Sequence, residues 1–108
     1  MVKYFNNIYN ATLITFANNF YEVCEGLNVN YTNVKNAVVK REHINDCYLD
    51  CNKNFRGFGG ACLPKDTKAI ANLVKEKKLK SSFFQDLMNH NNRYITTVFE
   101  GMRMGDET

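Results

Sequence analysis

The sequence predicts an all-α fold, with one long N-terminal helix packed with about three further helices, and a long Gly-rich loop in the middle of the chain. Three observations lead there. Apolar residues recur at steps of three and four through most of the sequence, which is the period of a helix face. No pair of alternating apolar segments suggests a strand hairpin. The one proline, Pro64, falls where a helix can begin, because the first helical turn needs no proline N–H.

The first helix is expected over residues 2 to about 26, from the stripe Phe5, Ile8, Tyr9, Leu13, Phe16, Ala17, Phe20 and Val23-Cys24. Ile14 and Tyr21 widen its apolar surface beyond one narrow stripe, which is consistent with pairing to another chain. Gly26 is the expected stop. A shorter helix fits residues 32 to 42, with Val34, Ala37 and Val38 as its apolar face and Asn30 or Thr32 as its cap. Residues 43 to 61 show neither period and are rich in Asn, Asp and Gly, so they read as a long loop of the kind that tends to be functional. A third helix starts near Pro64 and runs through Ala69, Ile70, Leu73 and Val74 to Lys75-Glu76-Lys77-Lys78. Ser81 or Ser82 opens a fourth, with Phe83, Phe84, Leu87, Met88, Tyr94, Ile95, Val98 and Phe99 as its stripe; the tail from Gly101 is expected to fray.

Composition narrows the function classes. The 108 residues allow one domain, and 44% hydrophobic with 23% charged residues supports a packed core. A net charge of +3 is too small to argue for nucleic acid, and Lys75, Lys77, Lys78 and Lys80 read as a solvated helix end. No apolar run approaches the roughly 18 residues that span a bilayer, so no membrane partner is expected. Met1-Val2-Lys3-Tyr4-Phe5 lacks the layout of a signal peptide. Reduced thiols are therefore the default for Cys24, Cys47, Cys51 and Cys62. His43, Cys47 and Cys51 have the spacing of three ligands on one helix turn, but no knuckle motif or fourth ligand accompanies them, and no metal site is expected.

The loop Arg56-Gly57-Phe58-Gly59-Gly60 has chemical content of its own. Three glycines in four positions permit positive φ and close backbone approach to a ligand. Their N–H groups suit phosphate or sugar oxygens, and Arg56 adds a forked cation. The loop delivers Cys62 to a helix start, where partial positive charge and Lys65 favour a thiolate, the nucleophilic form. The residues alone also allow a plain turn with Cys62 packed as a small hydrophobe. The spacing fits neither a dinucleotide fingerprint nor a phosphate-binding P-loop.

The ten residues Gly57-Phe58-Gly59-Gly60-Ala61-Cys62-Leu63-Pro64-Lys65-Asp66 resemble the active-site signature of the UDP-glucose/GDP-mannose dehydrogenase family. Lys3 and Asn7 match the family's K-x-x-x-N motif. Asn18 to Glu25 is similar to its N-E-x-x-x-x-[CA]-E run, with Asn19 where Glu is usual. The resemblance implies that residues 1–108 are the central helical, dimer-forming domain of an enzyme that oxidises a nucleotide-sugar C6 alcohol to the acid with two NAD molecules. It gives Cys62 the role of nucleophile toward the intermediate aldehyde, through a thiohemiacetal and a thioester. Lys3 and Asn7 would face the reacting oxygen, and Asp66 would direct the hydrolytic water. Arg56, Gly57, Phe58, Gly59 and Gly60 would bind substrate, and Lys65 would lie near the cofactor. His43-Ile44 departs from the Arg-Ile of the family, which leaves a role for position 43 across a subunit interface in doubt. Cys62-Leu63-Pro64-Lys65-Asp66 is similar to the UDP-glucose and GDP-mannose branches rather than the N-acetylated-sugar branch. UDP-glucose is the expected nucleotide sugar, a homodimer through the long helix the expected assembly, and the cytoplasm the expected location. The chain carries no G-x-G-x-x-G, so the NAD-binding domains are expected to belong to flanking sequence, and the isolated chain is expected to be inactive.

Overall fold

The computed structural model describes residues 1–51 and 63–93. Within them the chain is all-helical: α1 Val2–Gly26, α2 Tyr31–Val38, α3 Leu63–Glu76 and α4 Phe83–Asn91. Arg56, Gly57, Phe58, Gly59, Gly60 and Cys62 lie outside the described residues, as do the expected continuation of the α4 stripe from Tyr94 and the tail.

The helix α1 is the spine against which everything else packs. Its first half meets α3 and α4 in a core of Ile8, Ala11, Ile14, Leu63 and Leu87, with Tyr4, Tyr48, Ile70, Phe84 and Met88 around it. Its second half meets α2 in a smaller cluster of Ala17, Cys24, Tyr31 and Cys51, flanked by Tyr21 and Val34. Full burial of a side chain such as Ile14 contributes about 1.5–3 kcal/mol.

The core uses a different face of α1 from the stripe of large apolar residues. Asn7, Ile8, Ala11, Ile14, Thr15, Ala17, Asn18 and Cys24 are buried. Phe5, Tyr9, Phe16, Phe20 and Val23 are exposed. At about 100° per residue, Val2, Phe5, Tyr9, Phe16, Phe20 and Val23 fall within roughly 60° of one another, on the side opposite Asn7, Ala11, Ile14 and Asn18. The expected stripe merged these two faces because Ile8 and Ala17 sit between them.

The helix ends also correct the expectation. Gly26 is the last residue of α1 rather than its stop signal. The left-handed residue is Asn28, at φ 57°. Asn28 N–H bonds Glu25 O at 3.3 Å and Val29 N–H bonds Cys24 O at 2.8 Å, a Schellman closure with Asn in the usual glycine place. The end of α3 repeats it: Lys78 has φ 56°, and Leu79 N–H reaches Val74 O at 2.9 Å. Asn30, not Thr32, caps α2, its side chain accepting from Asn33 N–H at 2.9 Å. α2 stops at Val38 instead of residue 42, because Val39-Lys40-Arg41-Glu42 offers three charged residues and no apolar face to bury in a further turn. Its inward face is Tyr31, Val34, Lys35 and Val38, while Ala37 is exposed. In α3 the fully buried residues are Leu63, Asp66, Thr67 and Ala71, whereas Leu73 is on the surface.

Candidate active-site face between α1 and α3

Packing α3 across the start of α1 brings together two polar residues that are 59 positions apart. Asn7 Nδ2 donates to Asp66 Oδ2 at 2.7 Å, and both side chains are buried, at 5% and 1% exposure. The carboxylate can only accept, so it fixes which end of the amide faces it. Asn6 Nδ2 in turn donates to Asn7 Oδ1 at 3.3 Å, so both polar ends of Asn7 are engaged. Asp66 lies in the first turn of α3, where unpaired N–H groups carry partial positive charge. A buried carboxylate survives there because it has a donor and a favourable helix end.

The other expected site residues divide around this bond. Lys3 lies one turn before Asn7 on α1 and is exposed. Lys65 precedes Asp66 and is also exposed, since successive helical residues point about 100° apart. The structure thus joins Asn7 to Asp66 and leaves both lysines at the surface. Leu63, the residue after Cys62, is 1% exposed and anchors the start of α3 in the core. The chemistry available is an amide donor, a shielded carboxylate and two surface ammonium groups around the N-terminus of α3.

A second set of tethers fixes the chain as it approaches residue 52, and the sequence reading did not single it out. Tyr31 Oη donates to the Leu49 carbonyl at 2.7 Å. Lys35 Nζ bridges Asp46 Oδ1 at 2.9 Å and Asp50 Oδ1 at 2.8 Å. Cys51 Sγ donates to Asn18 Oδ1 at 3.2 Å. The Lys35 stem is buried while its ammonium meets two carboxylates that are more than half exposed. Hydrogen bonds to Asp50 and then Asp46 hold the ammonium above its ordinary pKa of 10.5 against the opposing effect of burial. The legible signal was Tyr31-x-x-x-Lys35, which puts a phenol and an ammonium on one helix face, followed by Asp46-x-x-x-Asp50.

The three described cysteines are free thiols, with Cys24 and Cys51 buried and Cys47 exposed. His43, in the Arg position of the expected dipeptide, is exposed. Among the described residues no three His, Cys, Asp or Glu side chains cluster as metal ligands, and no helix is long and apolar enough to cross a membrane. Grooves of about 270 and 510 Å³ both involve Met1, Phe5 and Tyr9. They open beside and along the exposed stripe of α1, away from Asn7 and Asp66.

The profile of the UDP-glucose/GDP-mannose dehydrogenase family, central domain, matches residues 1–93. A UDP-glucose 6-dehydrogenase of Rickettsia prowazekii (strain Madrid E) is 31% identical over 91 residues, which is 84% of this chain and 20% of that protein. A GDP-mannose 6-dehydrogenase of Pseudomonas putida (strain KT2440) is 28% identical over 107 residues, 99% of this chain and 24% of that protein. A GDP-mannose 6-dehydrogenase of Pseudomonas savastanoi pv. phaseolicola is 28% identical over 100 residues, 93% of this chain and 23% of that protein. The chain spans about a fifth to a quarter of the length of these relatives. The buried Asn7–Asp66 pair joins two segments that the sequence resemblance had linked only by motif, and the profile match covers both: the chain belongs to the UDP-glucose/GDP-mannose dehydrogenase family, as its central domain.

Proposed function

We propose that this chain is the thiol-bearing and dimer-forming domain of an NAD-dependent nucleotide-sugar 6-dehydrogenase, with UDP-glucose as substrate and GDP-mannose as the alternative. The observation that carries the proposal is the Asn7–Asp66 hydrogen bond at 2.7 Å, which ties the K-x-x-x-N segment of α1 to the residue four positions after Cys62. In this reading the Cys62 thiolate adds to the carbon of the C6 aldehyde, and the aldehyde oxygen becomes an oxyanion. Lys3 and Asn7, one helical turn apart, supply the ammonium and the amide N–H that stabilise that charge. After oxidation of the adduct to the thioester, water attacks its carbonyl, Asp66 accepts the proton of that water, and the acid leaves with return of the thiolate. Arg56 and the backbone of Gly57, Phe58, Gly59 and Gly60 hold the sugar and its phosphates.

NAD supplies the hydride acceptor for both oxidations. The described residues form four helices without a strand–turn–helix cradle, and Lys65 is their one contribution assigned to the cofactor, an exposed cation suited to a phosphate. The rest of the cofactor site is assigned to sequence flanking this domain. The free thiols at Cys24, Cys47 and Cys51 suit a cytoplasmic setting. The exposed apolar face of α1 favours a second role for the same domain, as a homodimer interface.

A chimera tests the reading. Residues 1–91 replace the matching segment of the Rickettsia prowazekii UDP-glucose 6-dehydrogenase, and reduced cofactor is followed by absorbance with UDP-glucose or GDP-mannose. Turnover with either sugar, abolished by Cys62→Ala and strongly reduced by Asp66→Asn, is expected. A folded, dimeric chimera that turns over equally well with Cys62→Ala overturns the thiol mechanism. One that turns over neither sugar leaves the domain as a dimerisation module only.

A further inference from the structure

The helix α1 presents its most apolar face outward. Val2, Phe5, Tyr9, Phe16, Phe20 and Val23 are each at least 46% exposed. The only charged residues of α1 are Lys3, Glu22 and Glu25, and helical geometry places all three away from this face. The residues that border it are uncharged: Asn6, Thr12, Leu13 and Asn19. The exposed side chains sum to on the order of 800 Å² per chain, above the 300–600 Å² of a typical largest patch on a monomer and close to the ~800 Å² each partner buries in a standard interface. A membrane-surface helix would carry Lys or Arg along the margins of its apolar face, and these margins carry none. The face therefore suits another protein surface that is equally apolar and uncharged.

The order of the residues says which surface. Reflecting α1 about the point between Thr12 and Leu13 carries Val2 onto Val23, Phe5 onto Phe20 and Tyr9 onto Phe16. Each residue meets a partner of its own class and size. A helix running the opposite way past its own copy requires that symmetry, because a two-fold axis makes the patch complementary to itself. A parallel arrangement would pair each position with itself and would give the mirrored order no reason to exist. Antiparallel packing also opposes the helix dipoles favourably. At the centre, Thr12 is small and its hydroxyl is spent on Ile8 O at 2.7 Å, so it presents a methyl group where two helices cross. The tilted Phe16–Phe20 ring pair, with centroids 5.1 Å apart, faces the hollow of about 510 Å³ that Val2, Phe5 and Tyr9 border on the opposite copy.

We propose that two copies of this chain pair through α1 in antiparallel register about an axis between Thr12 and Leu13, with Phe5 against Phe20 and Tyr9 against Phe16 of the other copy. This rests on the homodimer reading above and adds its direction and register, which the experiment separates from it.

Two measurements are made on the full chain. Light scattering gives the assembly state, with twice the 12.5 kDa chain mass expected, and Phe16→Glu expected to shift it to a monomer with unchanged helix content. A monomeric wild-type chain at millimolar concentration, including one in which its own residues beyond 93 cover the face, overturns the dimer and the register together. A Phe16→Glu variant that remains fully dimeric removes the face. For register, Phe5→Cys and Phe20→Cys are made separately in a Cys47→Ser, Cys62→Ser background and treated with a short bis-maleimide. Covalent dimer is expected to form at least tenfold faster in the equimolar mixture than in either variant alone. Rapid cross-linking of each variant to itself, with none favoured in the mixture, leaves the dimer standing and overturns the antiparallel register.

Discussion

Removing the amide of Asn7 is the most direct probe of the inter-helix bond. Asn7→Ala leaves Asp66, at 1% exposure, without the donor that lies 2.7 Å from its Oδ2. A hydrogen bond to a charged group contributes about 1.5–3 kcal/mol, and leaving its buried partner unsatisfied costs in the same range or more. The favourable end of α3 offsets part of this, by about 0.3–1 kcal/mol. The net loss is about 2 kcal/mol, or roughly 10 °C in Tm for a domain of this size. Thermal unfolding by circular dichroism at fixed protein concentration reads it directly, fixed because dimerisation couples Tm to concentration. Asp66→Asn retains an acceptor oxygen for Asn7 and should lose less than Asn7→Ala. In a double-mutant cycle, Asn7→Ala and Asp66→Ala together should lose at least 1 kcal/mol less than the sum of the singles. A Tm change under 2 °C for Asn7→Ala, or strict additivity in the cycle, would refute the claim that this bond holds α3 on α1.

Four further outcomes follow from the same structure. Lys35 has a folded pKa raised above 10.5, so its stabilising effect is complete below pH 10.5 and is lost as pH rises through the folded value. Lys35→Met should flatten that alkaline loss of Tm, and because Asp46 and Asp50 are largely exposed the effect should be about 1 kcal/mol or less. Lys78→Gly relieves a lysine at φ 56° and should raise stability by about 1 kcal/mol in urea unfolding; a loss would contradict the left-handed assignment. Gly26→Ala meets open space at its Cβ and lies in helical backbone, so it should stabilise by about 0.5–1 kcal/mol. Among Cys24, Cys47 and Cys51, a maleimide should label exposed Cys47 first in native protein and reach the other two only after unfolding, as peptide mass spectrometry would show.

The all-helical class and the start of each helix were legible because they depend on local signals: apolar period, Asn30 before α2, Pro64 in the first turn of α3. The faces were less legible. Sequence period finds apolar residues, and on α1 the larger apolar side chains are on the outside. The inner face mixes Ile8, Ala11 and Ile14 with Asn7, Thr15 and Asn18, whose polar groups are satisfied within the fold. Thr15 Oγ1 returns to Ala11 O at 2.9 Å and Asn18 Nδ2 to Ile14 O at 3.0 Å, so burial asks little of them. No single-chain pattern reveals such pairings in advance. The same holds for α3, where Asp66 and Thr67 occupy buried positions that a hydrophobic reading assigned to Ala69 and Leu73. Asn7 and Asp66 were nameable only because the family motif marks them, since neither sits in an apolar pattern. The Lys35 bridge escaped for the opposite reason: it carries no motif, and a lysine among Asn and Val residues reads as an ordinary surface cation.

The two faces of α1 impose a separation of roles that can be argued from helix geometry. In the antiparallel pairing, position 7 of one copy stands level with position 18 of the other, about 16 Å from position 7 of that copy along the axis. Asn7 and Asn18 both point away from the shared face, toward the core of their own chain. Neither copy therefore lends a side chain of α1 to the Asn7–Asp66 pair of the other. Any influence of assembly on that pair must pass through the rigidity of α1 itself. Phe16→Glu should then dissolve the dimer while the Asn7–Asp66 coupling, measured by the same double-mutant cycle, keeps its sign and most of its size. Asn7→Ala should weaken the fold while the surviving folded fraction still pairs. If breaking the dimer also abolished the coupling, α1 would not be the rigid spine that its burial pattern describes, and the site would depend on its partner for shape.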